Sequence, residues 1–439
     1  MTDFLIGDAH QLSQVLEAEA KKDPERFARL ALRFPDDTHR YYFRAVLGAA
    51  ADPGVGPEML LELCRKCHGL PDRPCGPWLC DAVGKAGGRD LPAELLEMVS
   101  WYATEDPDPD REMWREEAWN GTYYYGGEPF SAGLNCARGR AALALADLIA
   151  PIEARVEIFL PTLERLVDDP SVAVRSCAAR ALLTTLIHDR DLAVGLFVRL
   201  CEGDDDSLLG TEFVERFLRH TTATHFGQLE PILQRMLGSA NRSAVAVGAR
   251  QSCAAALDVE AAKPLAEGCL KGDEGRRAAA AEVFAAHLRT ARYRSVCEAG
   301  LVDLFDDETA EVRRTAARCF FRLRDKELGG YRDLVRAFVD SRAFDTEHGQ
   351  LLDALQRTTA RMPDESCLAC ERFLEVAGED AANIQLKAAA DAATALEILV
   401  RSYNQSRDDA LSARCLDLFD RMAELGVYRA IDTLESYER

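Results

Sequence analysis

The stretch Cys64-Arg65-Lys66-Cys67-His68 reads C-x-x-C-H, two thiols and an imidazole spaced as in the attachment sequence of a c-type haem. Two further thiols, Cys75 and Cys80, follow across the turn LPDRPCGPW, and four thiolates could close a tetrahedral shell around zinc. Against haem stands the opening stretch MTDFLIGDAHQ, which has neither the basic segment nor the apolar run of an export signal. Against zinc stands the spacing of the second pair, together with the apolar face of MLLELCRKCHGL on which Cys64 and Cys67 fall. We therefore read Cys64, Cys67, Cys75 and Cys80 as core residues that are at most weak metal candidates. Cys367 and Cys370 repeat the spacing inside a helix with no further ligand nearby and read as packing.

Asp106, Asp108, Asp110 and Glu117 stand at positions 1, 3, 5 and 12 of a would-be calcium loop. Arg111 occupies the place where the sharp turn needs glycine, and Pro107 and Pro109 stiffen the segment, so a solvated acidic turn is the expectation. The densest aromatic cluster overlaps it: Trp101, Tyr102, Trp114, Trp119, Tyr123, Tyr124, Tyr125 and Phe130. Aromatic side chains on a long connection offer large contact area at low entropic cost, which suits a partner-binding surface. The same residues could equally plug a junction between helices, and the sequence leaves both readings open. His220 and His225 are five apart and share no helix face, and no acid–base pair stands out among the scattered carboxylates. No catalytic residue, cofactor or resident metal is expected.

The elements that would carry these residues are helices. The 439 residues are 48% hydrophobic, with Ala and Leu dominant and few β-branched runs. The net charge of −21 is spread along the chain, disfavours nucleic acid and anionic lipid as partners, and shows no long basic stripe to override it. No apolar run approaches the length of a membrane span. The 14 cysteines fall mostly at apolar helical positions, as expected of buried thiols in a reducing cytoplasm.

Internal repetition is the strongest signal. DPSVAVRSCAAR at 169–180 and DETAEVRRTAAR at 307–318 share Asp169/Asp307, Val174/Val312, Arg175/Arg313 and an Ala-Ala-Arg triplet without a gap. Weaker copies surround Arg138, Arg250 and Arg277, for a step of roughly 37 residues or twice that, in the range of helical hairpins, with one short step from 250 to 277 that marks a degenerate unit. In such an array the alanine pair permits close helix approach, the aspartate caps the following helix, and the arginine reaches the aspartate of an adjacent unit. The pattern resembles HEAT repeats, which implies a right-handed α-solenoid with a structural ladder through Asp169, Arg175, Asp307 and Arg313. The expected organisation is an irregular helical region over 1–105, an insertion over 106–132, regular repeats over 133–360 and capping helices over 361–439.

Two further signatures extend the resemblance. Asp23, Pro24, Phe27, Leu30, Phe34 and Pro35 in DPERFARLALRFPDD, and Gly133, Asn135, Arg138, Gly139, Ala141 and Ala142 in GLNCARGRAALALADLI, look like the C-terminal helical region of bacterial STAND-type NTPases, predicted anti-phage sensors among them. That resemblance implies a recognition arm, although no G-x-x-x-x-G-K-[ST] stretch of a nucleotide-binding domain occurs here. The expectation is a cytoplasmic, non-catalytic scaffold that binds a protein partner. The alternatives are a HEAT-like DNA glycosylase and a chaperone resembling bilin lyases.

Overall fold

Helix starts are fixed by the side chains just ahead of them. Asp23 accepts a hydrogen bond from the Arg26 N–H at 3.3 Å, and Pro24 opens the helix behind it. Asp189 and Asp273 cap in the same way, accepting from the Leu192 and Arg276 N–H groups at 2.9 and 3.1 Å. The computed structural model describes residues 8–118, 120–323 and 325–427. Among these residues the regular structure is helical throughout, no strand is present, and one isolated bridge pairs Glu117 with Tyr123.

The chain forms two units, Met1–Gln251 and Ser252–Arg439. The first contains α1 (Ala9–Ala20), α2 (Pro24–Ala31), α3 (Arg40–Ala50), α4 (Pro57–His68), α5 (Gly76–Lys85), α6 (Ala93–Thr104), α7 (Pro129–Gly133), α8 (Ala137–Ile149), α9 (Arg155–Val167), α10 (Val172–Thr185), α11 (Arg190–Leu200) and α12 (Glu212–Gly238). α1, α3, α5, α8, α10 and α12 touch in succession as one row, and α2, α4, α6, α9 and α11 touch in succession as another. Small residues set the spacing of the first row: Ala141, Ala142, Ala178 and Ala179 are wholly buried. α12 bends at His225, where the backbone leaves helical geometry, and Pro231 follows within the same helix.

α13 (Arg242–Ala255) carries the division between the units. The second unit then contains α14 (Lys263–Leu270), α15 (Glu274–His287), α16 (Arg294–Phe305), α17 (Ala310–Ala317), α18 (Cys319–Arg322), α19 (Arg332–Val339), α20 (Phe344–Arg357), α21 (Pro363–Ala377), α22 (Lys387–Gln405) and α23 (Asp409–Glu424). It repeats the alternation: α15, α17 with α18, α20 and α22 form one row, and α16, α19, α21 and α23 the other. Its core is aromatic, with Phe338 at 4.9 Å from Phe305, 4.7 Å from Phe320 and 5.7 Å from Phe344 between ring centroids. Glu365 is fully buried and is held by Arg332 and by Arg336, the latter at 2.6 Å.

Candidate interaction site

The segment between α6 and α8 is pinned at successive points. Asp106 accepts a hydrogen bond from the Asp108 N–H at 2.9 Å, which turns the chain so that Asp108 faces the start of α8. Cys136, at the N-cap, offers no side-chain bond there; instead the Asp108 carboxylate accepts from the Ala137 N–H at 2.7 Å and its carbonyl from the Arg138 N–H at 3.1 Å. Burial pushes the carboxyls of both Asp106 and Asp108 above their ordinary values. The spacing that could have suited calcium is thus used, at Asp108, to satisfy a helix end.

Glu112 makes the second anchor. One of its oxygens accepts from the Val172 N–H, the first residue of α10, at 2.8 Å, and the other accepts from the Trp114 indole N–H. Trp114 is buried to 7% exposure beneath the Arg115 guanidinium, which lies 4.6 Å from the ring and pairs with Asp205. A short hairpin follows, in which the Tyr124 N–H donates to the Glu116 carbonyl at 3.1 Å and the Ala118 N–H to the Thr122 carbonyl at 2.5 Å. Tyr125, Gly126 and Gly127 have φ of 55°, 68° and 71°, a left-handed run that two glycines make accessible. Glu128 then caps α7 through the Ser131 N–H at 3.0 Å, and Phe130 packs on Phe213 of α12 at 4.9 Å.

This framework presents Tyr123, Tyr124 and Tyr125 to solvent at 49%, 39% and 38% exposure. The aromatics grouped by sequence therefore separate. Trp114 serves as the buried footing of the turn. Trp101 belongs to α6 and packs edge-on against His68 and Tyr102, each at 5.1 Å, with Arg73 at 4.2 Å over its ring. Trp119 lies outside the described residues. The anchors Glu112 and Arg115 stand out in no sequence pattern, and Asp108 stands out there only as a would-be calcium ligand, since each acts on a residue distant along the chain.

The acid–guanidinium pairs are formed by some of the expected residues and not by others. Asp169 meets Arg138 at 2.9 Å, and Asp307 meets Arg277 at 2.6 Å. Arg138 also donates to the carbonyls of Asp106 at 2.9 Å and Pro109 at 3.2 Å, which ties this rung to the pinned segment. The Asp307 carboxyl is held below its ordinary value because the bonds from Arg277 and Thr309 outweigh the upward push of burial. Each aspartate also accepts from a backbone N–H two residues on, Ser171 and Thr309, each at 2.8 Å, so it shapes the turn before the helix and leaves the N-cap position to Ser171 and Thr309. Arg175 reaches no carboxylate: it donates to the Leu200 carbonyl at 3.2 Å, its buried Nε has no partner, and burial pushes its pKa down. Arg313 turns back on its own repeat, donating to the Asp307 and Glu308 carbonyls at 2.7 and 3.1 Å.

Cys64, Cys67, Cys75 and Cys80 are buried. Burial pushes the Cys64 and Cys80 thiols far up, and a hydrogen bond with Cys75, followed by burial, does the same to Cys67. His68 is engaged elsewhere, with Nδ1 at 3.2 Å from the Tyr102 hydroxyl. Among the described residues no three His, Cys, Asp or Glu side chains converge in a way that would hold a metal ion. His225 sits at the bend of α12, bonded to Asp191 at 2.9 Å and Thr224 at 2.8 Å. No described helix is long and apolar enough to cross a membrane.

No protein-family model matches the chain, and no curated protein matches it.

Proposed function

We propose that the chain is a HEAT-like α-solenoid that acts as a non-catalytic scaffold, gripping a protein partner through the tyrosine turn at 123–125. The observation that carries this reading is the combination of three consecutive exposed tyrosines with a turn bonded to the starts of α8 and α10. Ordering cost is then largely met before binding, and tyrosine supplies contact area with few rotors. The alternation of two helix rows within each unit supports the solenoid, and the likeness to STAND-type sensor regions supports a recognition arm in a bacterial defence or signalling assembly.

The test replaces Tyr123, Tyr124 and Tyr125 together by Ser and compares cross-linked partner recovery from the native host with that of the unaltered chain. Because the three rings are exposed, helix content and melting should be unchanged. Partner affinity should fall about thirtyfold or more, as expected when a cluster of interface tyrosines worth about 2 kcal/mol is removed. Undiminished recovery of every partner would remove the turn from the interface.

A further inference from the structure

One cleft in the second unit departs in charge from the acidic average of the chain. This cleft of about 1180 Å³ opens along α15, α17, α18, α20 and α22, and Arg289, Arg314, Arg318, Arg322 and Lys387 line it together with Phe321. Among the described residues two carboxylates, Glu347 and Asp353, share the lining. Five cations thus face two anions inside a protein of net charge −21. No long basic run announces this in the sequence, because the five cations come from three segments well apart along the chain.

We propose that this cleft binds a nucleotide carrying two or more phosphates. Arg314 reaches the cleft from α17, Arg318 from the break between α17 and α18, and Arg322 from the end of α18, so three guanidinium groups converge there from one short stretch of chain. Several planar, bidentate donors converging on one cleft suit the many oxygens of a polyphosphate better than a single carboxylate. Arg314 is held by Glu311 at 2.9 Å, an exposed pair of the kind that contributes little and yields readily to phosphate, and by the less exposed Glu347 at 3.4 Å. Lys387 stands 3.9 Å from Asp391 on the opposite wall.

Phe321 distinguishes a nucleotide from a bare polyanion. It is 61% exposed and stands between Arg318 and Arg322 in the chain. A ring set among guanidinium groups is a platform on which a base stacks. Glu347, Asp353 and Gln350 add hydrogen-bond acceptors for base amino or ribose hydroxyl groups. Gly349, inside α20, lets α22 side chains approach closely: a Cβ there would lie 3.0 Å from the Lys387 Nζ and 2.9 Å from Asp391. The volume fits a small ligand, and the acidic remainder of the chain repels a long polyanion that would overrun the cleft. This assignment goes beyond the protein-binding role and does not depend on the tyrosine turn.

Isothermal titration of the full chain with ATP, ADP, AMP, inorganic triphosphate, a single-stranded 20-mer deoxyoligonucleotide and a poly-glutamate peptide, in magnesium-free buffer, tests it. ATP and ADP should bind more tightly than AMP, and the exposed double variant Arg318→Glu, Arg322→Glu should weaken both at least tenfold without altering the circular dichroism melt. Phe321→Ala should weaken ATP about tenfold and leave inorganic triphosphate unchanged. Absence of ATP binding at millimolar concentration, or ATP binding that neither variant alters, would overturn the site. Inorganic triphosphate binding as tightly as ATP would overturn the stacking role of Phe321, and tighter binding of the 20-mer or the peptide than of ATP would overturn the ligand class.

Discussion

Replacing Arg138 by Met is expected to destabilise the first unit by about 3–5 kcal/mol, the cost of removing one member of a buried ion pair. The side chains of Arg138 and Asp169 are 11% and 8% exposed, so the orphaned carboxylate gains little water in compensation. Two carbonyls, those of Asp106 and Pro109, lose their donor at the same time. Arg138→Lys should not rescue, since an ammonium group cannot fork towards a carboxylate and two carbonyls at once. The four tryptophans, Trp78, Trp101, Trp114 and Trp119, all fall within Met1–Gln251, so urea unfolding followed by tryptophan fluorescence reads this unit selectively. A double-mutant cycle with Asp169→Asn isolates the pair; a coupling near zero would mean that the rung is incidental.

Gly139→Ala and Gly195→Ala should change stability in opposite directions although both glycines lie inside helices. A Cβ at Gly139 would stand 2.2 Å from the Gly133 carbonyl oxygen and 2.8 Å from its carbonyl carbon, backbone that cannot swing aside. Gly133 is itself locked, since its own Cβ would stand 2.5 Å from both the Ala173 carbonyl oxygen and the Cys177 sulfur of α10. The substitution at 139 should cost about 1–3 kcal/mol or more, as overpacking does. Gly195, in α11, is exposed with open space around it, and alanine there should stabilise by about 0.5–1 kcal/mol through helix propensity. The same fluorescence-monitored urea titration checks both; stabilisation by Gly139→Ala would show that α7, α8 and α10 do not pack as closely as described.

These two cases also explain a signature that was legible in the sequence without its reason. Gly133, Arg138, Gly139, Ala141 and Ala142 stand out in GLNCARGRAALALADLI because α8 lies where α7, α10 and the pinned segment converge. In the earlier signature, Asp23 and Pro24 start α2 and Phe34 packs edge-on against Phe43 at 5.5 Å, whereas Leu30 remains 42% exposed.

Helices with a clear apolar period and strong breakers were readable to within a few residues. The breakers PDDT, DPGVGP and AGGRDLP lead into Arg40–Ala50, Pro57–His68 and Ala93–Thr104. α5 escaped because GPWLCDAVGK holds two glycines and a proline, residues that read as a turn. In three dimensions the proline lies in the first turn, where its missing N–H costs nothing, and Gly84 admits the backbone of Ala144.

The repeat pattern fixed which residues sit at the turn before α10 and α17, and so placed Asp169 and Asp307. It could not fix which partners the arginines take. Asp206, about one repeat beyond Arg175, is bonded to Arg235 at 2.8 Å, and its neighbour Asp205 is paired with Arg115. Matching strings specify a local conformation, whereas a salt bridge also depends on the neighbouring repeat, where the copies have diverged. The basic cleft was hidden for a related reason: of its five cations only Arg314, Arg318 and Arg322 share a readable spacing.

Amide hydrogen exchange at Ala137, Val172 and Tyr124 tests most directly whether the tyrosine turn is held in place by the helix ends. Ala137 and Val172 open their helices, where N–H groups have no partner within the helix and ordinarily exchange fast. Bonding to Asp108 and Glu112, with Tyr124 held by the Glu116 carbonyl, should slow all three by about a hundredfold or more relative to the unfolded chain. Asp108→Ala and Glu112→Ala should each release their own amide. Exchange of all three at the unfolded rate in the unaltered protein would contradict the account.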